Sequence, residues 1–310
     1  MAQKAQKTKN ADDLGSVRRL ATSFELSLRA ANKAPRTIST YLFGVERFAR
    51  FLETTGMPTA VTAVHREHVE AWVADELERT SATTAAIRYR SLQQFFRWCV
   101  SDGEINVSPM VNMSPPKVPE QPVPVISTED MTKLLKACGG SDFASRRDLA
   151  IIRLFAATGI RRSEMAGLKC DDIDLRTRTL VVLGKGRRER QVRFDHKAAQ
   201  ALDRYIRVRA RHRLASESWL WLGLAGRLTD NGLASIVRKR AAAAGIEGRV
   251  NLHRFRHSFS HQWLAAGGQG EDLMMLNGWK SRTMLSRYGS SAAVERALAA
   301  YDRIAPGEDL

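Results

Sequence analysis

Residues able to handle a phosphate ester stand in a fixed order along this chain: Arg161, His253, Arg256, Trp279 and Tyr288. Each arginine offers a planar fork of N–H donors that matches two phosphate oxygens. A tyrosine hydroxyl is a nucleophile for phosphorus. Histidine moves protons near neutral pH, and an indole N–H donates to developing negative charge. Together these groups describe phosphoryl transfer, which needs cations fixed around a phosphorane-like transition state, an in-line nucleophile and a proton for the leaving oxygen. Lys185, between Gly184 and Gly186, supplies that proton from the tip of a hairpin. Glu164 lies three residues after Arg161, within reach to brace its guanidinium. Taken singly, each feature has a plainer reading. An Arg–Glu pair at this spacing is usually structural, His-x-x-Arg is common, and a lone Trp or Tyr is usually core. The order and spacing of the whole set carry the inference.

The elements that must hold these groups are legible from periodicity. His253 and Arg256 are separated by three positions, so a helix over roughly 253–266 presents both on one face while Arg254 and His257 point elsewhere. Arg161 follows a helix over 146–157, with Leu149, Ile152, Leu154 and Phe155 inward, through Thr158 and Gly159. Gly159 lets the backbone approach a ligand. Leu180–Leu183 and Arg190–Phe194 flank the glycine-bracketed tip and read as a β-hairpin. Further helices are expected over roughly 196–212, 229–244, 270–277, 281–288 and 291–303, the last with Val294, Leu298 and Tyr301 on one stripe.

Six of the nine prolines fall between Pro109 and Pro124, a composition that makes an extended linker. The chain therefore divides into a polar tail expected to be disordered (1–15), a helical domain (16–105), a proline-rich linker (106–126) and a larger mixed domain (127–310). In the first domain, helices are expected over 17–30, from a cap at Thr37, over 66–79 and over 83–101. The last of these turns Ile87, Leu92, Phe95, Phe96 and Val100 inward and Arg88, Arg90 and Arg97 outward. The expected fold is mainly α: an N-terminal helical bundle plus a mixed α+β domain with a small antiparallel sheet.

Charge narrows the partner. Forty-nine Lys and Arg against 33 Asp and Glu leave +16 over 310 residues, spread along the whole chain. Such a field attracts polyanions, nucleic acid first. Cys99, Cys138 and Cys170 form no CxxC pair, so neither a zinc ribbon nor a disulfide framework is implied, and reduced thiols fit best. Cys99 reads as core. The first residues carry Lys4, Lys7 and Lys9 without the apolar stretch of a signal peptide, and no window approaches the length of a membrane span.

The segments Ala157–Glu164, Gly184-Lys185-Gly186, His253–Phe259 and Leu276-Asn277-Gly278-Trp279 ending at Tyr288 resemble the tyrosine recombinases of the phage integrase family. The resemblance covers nearly the whole chain. It implies a core-binding helical domain and a catalytic domain that clamp double-stranded DNA. It further implies that Arg161 and Arg256 hold the scissile phosphate and that His253 assists proton movement. By the same resemblance, Lys185 is the general acid, Glu164 supports the first arginine and Tyr288 forms a 3′-phosphotyrosyl link. The covalent link conserves the phosphodiester energy, so neither ATP, a metal nor another cofactor is implied. Most family members have histidine where this chain has Trp279, and an indole donates but accepts no proton. That position then stabilises charge and relays none. Asn277 occupies a slot that is usually apolar.

The family also implies a homotetramer on DNA, with the 291–303 helix as a candidate for docking into a neighbour. The short N-terminal tail suggests a small recombinase that binds core sites alone, in the cytoplasm and with the nucleoid. Two alternatives share parts of this pattern. A type IB topoisomerase has the same chemistry without the tetramer, and a silent relative keeps only DNA binding.

Overall fold

The computed structural model describes residues 15–119, 124–184, 189–248, 250–285, 297–298 and 301–302. The chain divides into two units, Met1–Gln121 and Pro122–Leu310.

In the first unit, Ser16 caps α1 (Val17–Ala30) and Ser81 caps α4 (Ala82–Ser101), each by accepting a backbone N–H from the first turn. Helix α2 (Pro35–Thr55) starts three residues earlier than a Thr37 cap would place it. Pro35 occupies its first turn, where a missing N–H costs nothing, and Ala34 is the residue before it. Helix α3 spans Arg66–Arg79. The core of this unit is aromatic: Phe48 meets Trp72 and Phe96 edge-on, with ring centres 5.3 and 6.0 Å apart. Each such fully buried side chain contributes about 1.5–3 kcal/mol. Cys99 is part of this core, and burial pushes its thiol up to about 12. The packed region runs past residue 105, because Met110 is buried in the same core and Met113 packs against it.

Three expectations for α4 change. Ile87 and Val100 are exposed, at 44% and 38%, because the stripe that faces the bundle is Tyr89, Leu92, Phe95, Phe96 and Cys99. Arg90 and Arg97 do project outward. Arg88 does not: it pairs with Glu76, whose side chain is only 2% exposed and is also held by Arg47 at 3.0 Å. A carboxylate buried to that degree needs cationic partners, and Arg88 is recruited from the surface to be one.

The second unit is built around α6 (Phe143–Thr158), which follows α5 (Thr128–Lys136). Asp142 caps α6, and Ile151, Ile152, Leu154 and Phe155 are fully buried, while Leu149 is only partly so. A short helix, α7 (Arg162–Ala166), comes next. Three antiparallel strands follow in sequence order, β1 (Ile173–Asp174), β2 (Thr179–Leu183) and β3 (Glu189–Arg193). β2 and β3 form the expected hairpin, with Leu180 opposite Val192 and Val182 opposite Arg190. Helices α8 (His196–Arg209), α9 (Asp230–Ala243), α10 (Leu252–Ala265) and α11 (Gly270–Asn277) complete the unit. Leu298 and Tyr301 lie in helical turns and are more than 60% exposed. No described helix is long and apolar enough to cross a membrane.

Candidate functional site

Arg161 is set by how α6 stops. The Thr158 hydroxyl donates to the Leu154 carbonyl, and Gly159 then takes the left-handed conformation (φ 58°, ψ 18°) that ends a helix. A Cβ at Gly159 would lie 2.7–3.0 Å from the Phe259 side chain, so glycine is needed for space as well as for its backbone angle. Ile160 is buried, and Arg161 begins the next helix as the residue before α7.

Glu164 braces that turn from within α7. Its side chain is 3% exposed and its two oxygens accept four hydrogen bonds. Arg161 donates from its backbone N–H (2.7 Å) and from Nη1 (2.8 Å). Arg190 donates from Nη1 (2.7 Å) and Nη2 (2.8 Å), a two-pronged fork. Burial pushes the Glu164 carboxyl up, but the bonds and charge of Arg190, together with the Arg161 N–H and guanidinium, more than offset it and hold it at about 2. A carboxyl depressed in this way stabilises the fold fully above its ordinary value of 4.5, and the contribution is lost as pH falls toward 2. The wild-type protein is therefore expected to lose more thermal stability than Glu164→Gln between pH 4.5 and 2. Parallel melting curves of the two proteins across that range would remove Glu164 as a buried, ionised brace.

The C-terminus of α11 organises three arginines. Its last carbonyls have no partner within the helix, and the helix dipole makes that end attractive to cations. The Leu276 carbonyl accepts from Arg190 Nε (2.8 Å), the Asn277 carbonyl from Arg256 Nη2 (2.5 Å) and the Gly278 carbonyl from Arg161 Nη2 (2.9 Å). Gly278 is again left-handed (φ 60°, ψ 45°). A Cβ there would sit 3.3 Å from Arg190 Nη1 and 3.4 Å from Arg161 Nη1, so its absence lets both guanidiniums close on the helix end. Arg256 is held from the other side as well, donating Nη1 to the Gly159 carbonyl at 2.9 Å. It is 2% exposed, with its guanidinium carbon 5.4 Å from the centre of the buried Trp279 ring.

Asn277, polar in an apolar slot, has a structural reason. It is fully buried and donates Nδ2 to the Ser260 hydroxyl (3.0 Å), which donates in turn to the Arg256 carbonyl (2.8 Å). This ties α11 to α10 one turn from Arg256. His253 is exposed in the first turn of α10, where the Asn251 side chain accepts its backbone N–H. Arg254 turns away, donating to the Val125 carbonyl, while the His257 ring packs edge-on against His253 at 4.7 Å.

Arg161, His253 and Arg256 line one cleft of about 510 Å³, joined by Arg162, Asn231 and Arg238. The sequence-based site thus converges for Arg161, Glu164, His253 and Arg256, with Trp279 against Arg256. Lys185 and Tyr288 lie outside the described residues, as does most of the 291–303 segment. Reasoning from motifs missed Arg190. A signal was present: Val192 faces the core, so the two-residue period of β3 turns Arg190 inward too, an odd place for arginine.

Comparison with known proteins places the chain in a family and a fold. Residues 124–295 match the phage integrase family, and residues 20–103 match the phage integrase N-terminal SAM-like domain. Tyrosine recombinase XerC of Thermodesulfovibrio yellowstonii is 30% identical over 236 residues, 74% of this chain and 78% of that protein. Tyrosine recombinase XerD of Corynebacterium glutamicum is 30% identical over 267 residues, 81% and 86% of the two chains. Among solved structures, a lambda integrase dimer bound to a COC′ core site shares the fold at TM-score 0.73 and 15% identity, covering 92% of this chain and 81% of that one. XerH bound to a palindromic difH substrate, in a post-cleavage complex, does so at 0.72 and 18%, covering 88% and 81%.

Proposed function

We propose that this chain, which belongs to the phage integrase family and is a tyrosine site-specific recombinase, cleaves and rejoins duplex DNA through a 3′-phosphotyrosyl intermediate on Tyr288. The observation that carries the residue assignment is the pair of guanidiniums, Arg161 and Arg256, anchored on backbone carbonyls and lining one cleft with His253.

In this reading Arg161 and Arg256 donate to the non-bridging oxygens of the scissile phosphate and His253 steadies the charge that develops there. The Tyr288 hydroxyl gives up its proton, with His253 assisting its passage to solvent, and its oxygen bonds to phosphorus as the bond to the 5′-oxygen breaks, while Lys185 protonates the leaving 5′-oxygen. The reverse step, with a 5′-hydroxyl from a second duplex as attacker, releases the tyrosine and joins the strands. Trp279 has an N–H to donate and no lone pair to accept a proton, so it supports charge alone. Glu164 orients Arg161. Arg90 and Arg97, exposed on α4, add DNA-backbone contacts. Recombination between two duplexes calls for a homotetramer, and the exposed Leu298 and Tyr301 suit the docking of the C-terminal segment into a neighbour. The working compartment is the cytoplasm, on nucleoid DNA.

A nicked suicide duplex tests the reading. A covalent protein–DNA adduct is expected from the wild type and none from Tyr288→Phe; an adduct of equal yield from the variant would move the nucleophile elsewhere. Joining of two marked duplexes separates recombination from simple relaxation. The role of Lys185 has its own measure. Lys185→Ala is expected to slow cleavage of a normal 5′-oxygen by about 100-fold or more, and to slow a 5′-thio leaving group far less, because a thiolate needs no proton to depart. Equal slowing of both substrates would exclude Lys185 as the acid.

A further inference from the structure

We propose that Arg190 is a positioning residue that keeps the charge of Arg161 available to the phosphate, by taking up the charge of the carboxylate that orients Arg161. The inference rests on the reading of the cleft as a phosphate site.

Glu164 fixes Arg161 by two hydrogen bonds, one to its backbone N–H and one to its guanidinium. Alone, that carboxylate would cancel much of the positive field that Arg161 directs into the cleft, since the two charges lie in contact at 2.8 Å. Orientation and charge are thus in conflict in a two-residue brace. The second guanidinium resolves it: with Arg190 on both oxygens of Glu164, the trio carries a net single positive charge. Arg190 is well placed to act through Glu164 and not on the phosphate directly. Its side chain is 14% exposed, and its Nε, Nη1 and Nη2 each donate to protein acceptors. It is also the second residue of β3, the strand that follows the segment carrying Lys185, so the same guanidinium ties that hairpin to α7 and to the end of α11. Two like charges converge on one oxygen of Glu164, and the carbonyls of Leu276 and Gly278 offset their repulsion.

The test uses the full chain on the nicked suicide duplex, with duplex affinity and melting temperature measured for every variant. Wild type forming the adduct and Tyr288→Phe failing to do so establishes the site; failure at that step removes the reading of the cleft and leaves Arg190 aside. With the site established, Arg190→Gln is expected to slow adduct formation about 100-fold, the scale of losing one preorganised donor, while affinity changes by less than about threefold. Arg190→Lys keeps the charge without the fork and is expected to stay within about tenfold of wild type. The double variant Glu164→Gln, Arg190→Gln is expected to cleave at least about tenfold faster than Arg190→Gln, because the neutralising carboxylate leaves with its partner. A residue that only filled space or held the strand would make the double variant as slow as the single one, and that result overturns the proposal. Should Arg190→Gln not fold, a folded Arg190→Lys slowed about 100-fold overturns it equally.

Discussion

Arg256→Ala is expected to abolish strand cleavage, by about a thousandfold or more, while duplex affinity falls by less than about fivefold. The two effects separate because they depend on different numbers of contacts. Backbone binding is summed over many Lys and Arg, in a chain with a net charge of +16, so one cation is a small fraction of it. Transition-state stabilisation depends on the few donors fixed at the scissile phosphate, and losing one costs about 10²–10³ even in an otherwise intact site. Arg256 adds a further loss. Its truncation leaves the Gly159 and Asn277 carbonyls without their donor in a buried setting, so the ends of α6 and α11 loosen together. Arg161→Ala is expected to follow the same pattern with a smaller change in stability, since Arg161 is far more exposed than Arg256. Lysine at position 256 is not a substitute: one ammonium cannot hold carbonyls on two sides and still face a phosphate. Single-turnover adduct formation and anisotropy-based affinity, measured side by side, check the prediction. A parallel fall in both would show that Arg256 serves binding generally and not the chemical step.

Gly159→Ala is expected to damage the catalytic unit severely, through both backbone angle and space. The left-handed backbone there costs a non-glycine residue about 1–2 kcal/mol, and the new Cβ meets three atoms of Phe259 at 2.7–3.0 Å. Together these come to about 2–4 kcal/mol, or a drop of about 5–10 °C in melting temperature for a unit of this size. Cleavage should fall too, because the displaced carbonyl is one of the two that hold Arg256. Gly56→Ala is the control. It has a similar backbone angle (φ 69°) with nothing near its Cβ, so only the backbone cost of about 1–2 kcal/mol applies. Equal melting shifts for the two variants would mean that Phe259 moves aside freely and that close packing behind Arg161 is unimportant.

Much of this site is legible in the sequence because it is written in side chains at fixed helical offsets. Arg161 after a glycine-terminated helix, Glu164 one turn on, and His253 three before Arg256 are placed by local offsets, and the family resemblance supplies their roles. The β2–β3 hairpin follows from its apolar runs and glycines. What escaped was governed by partners distant in sequence. Arg88 looked like a surface cation until Glu76, buried twelve residues earlier, claimed it. Ile87 and Val100 are apolar yet lie off the stripe chosen by the aromatic residues of α4. Thr37 lost the start of α2 to Pro35, whose fixed backbone suits a first turn. Arg190 was hidden by its setting in an apparently polar strand end, although alternation with Val192 marks it as inward. The carbonyls of Leu276, Asn277 and Gly278 could not be read at all, since every residue carries one and only the end of a helix makes them available.

That shared anchorage has an effect reaching beyond any one contact. Three cations, one just before α7 and the others on β3 and α10, all terminate on a single turn of backbone. Fraying of that turn disarms them in concert, with no side chain altered. The positive field of the cleft therefore stands or falls with the integrity of one helix end.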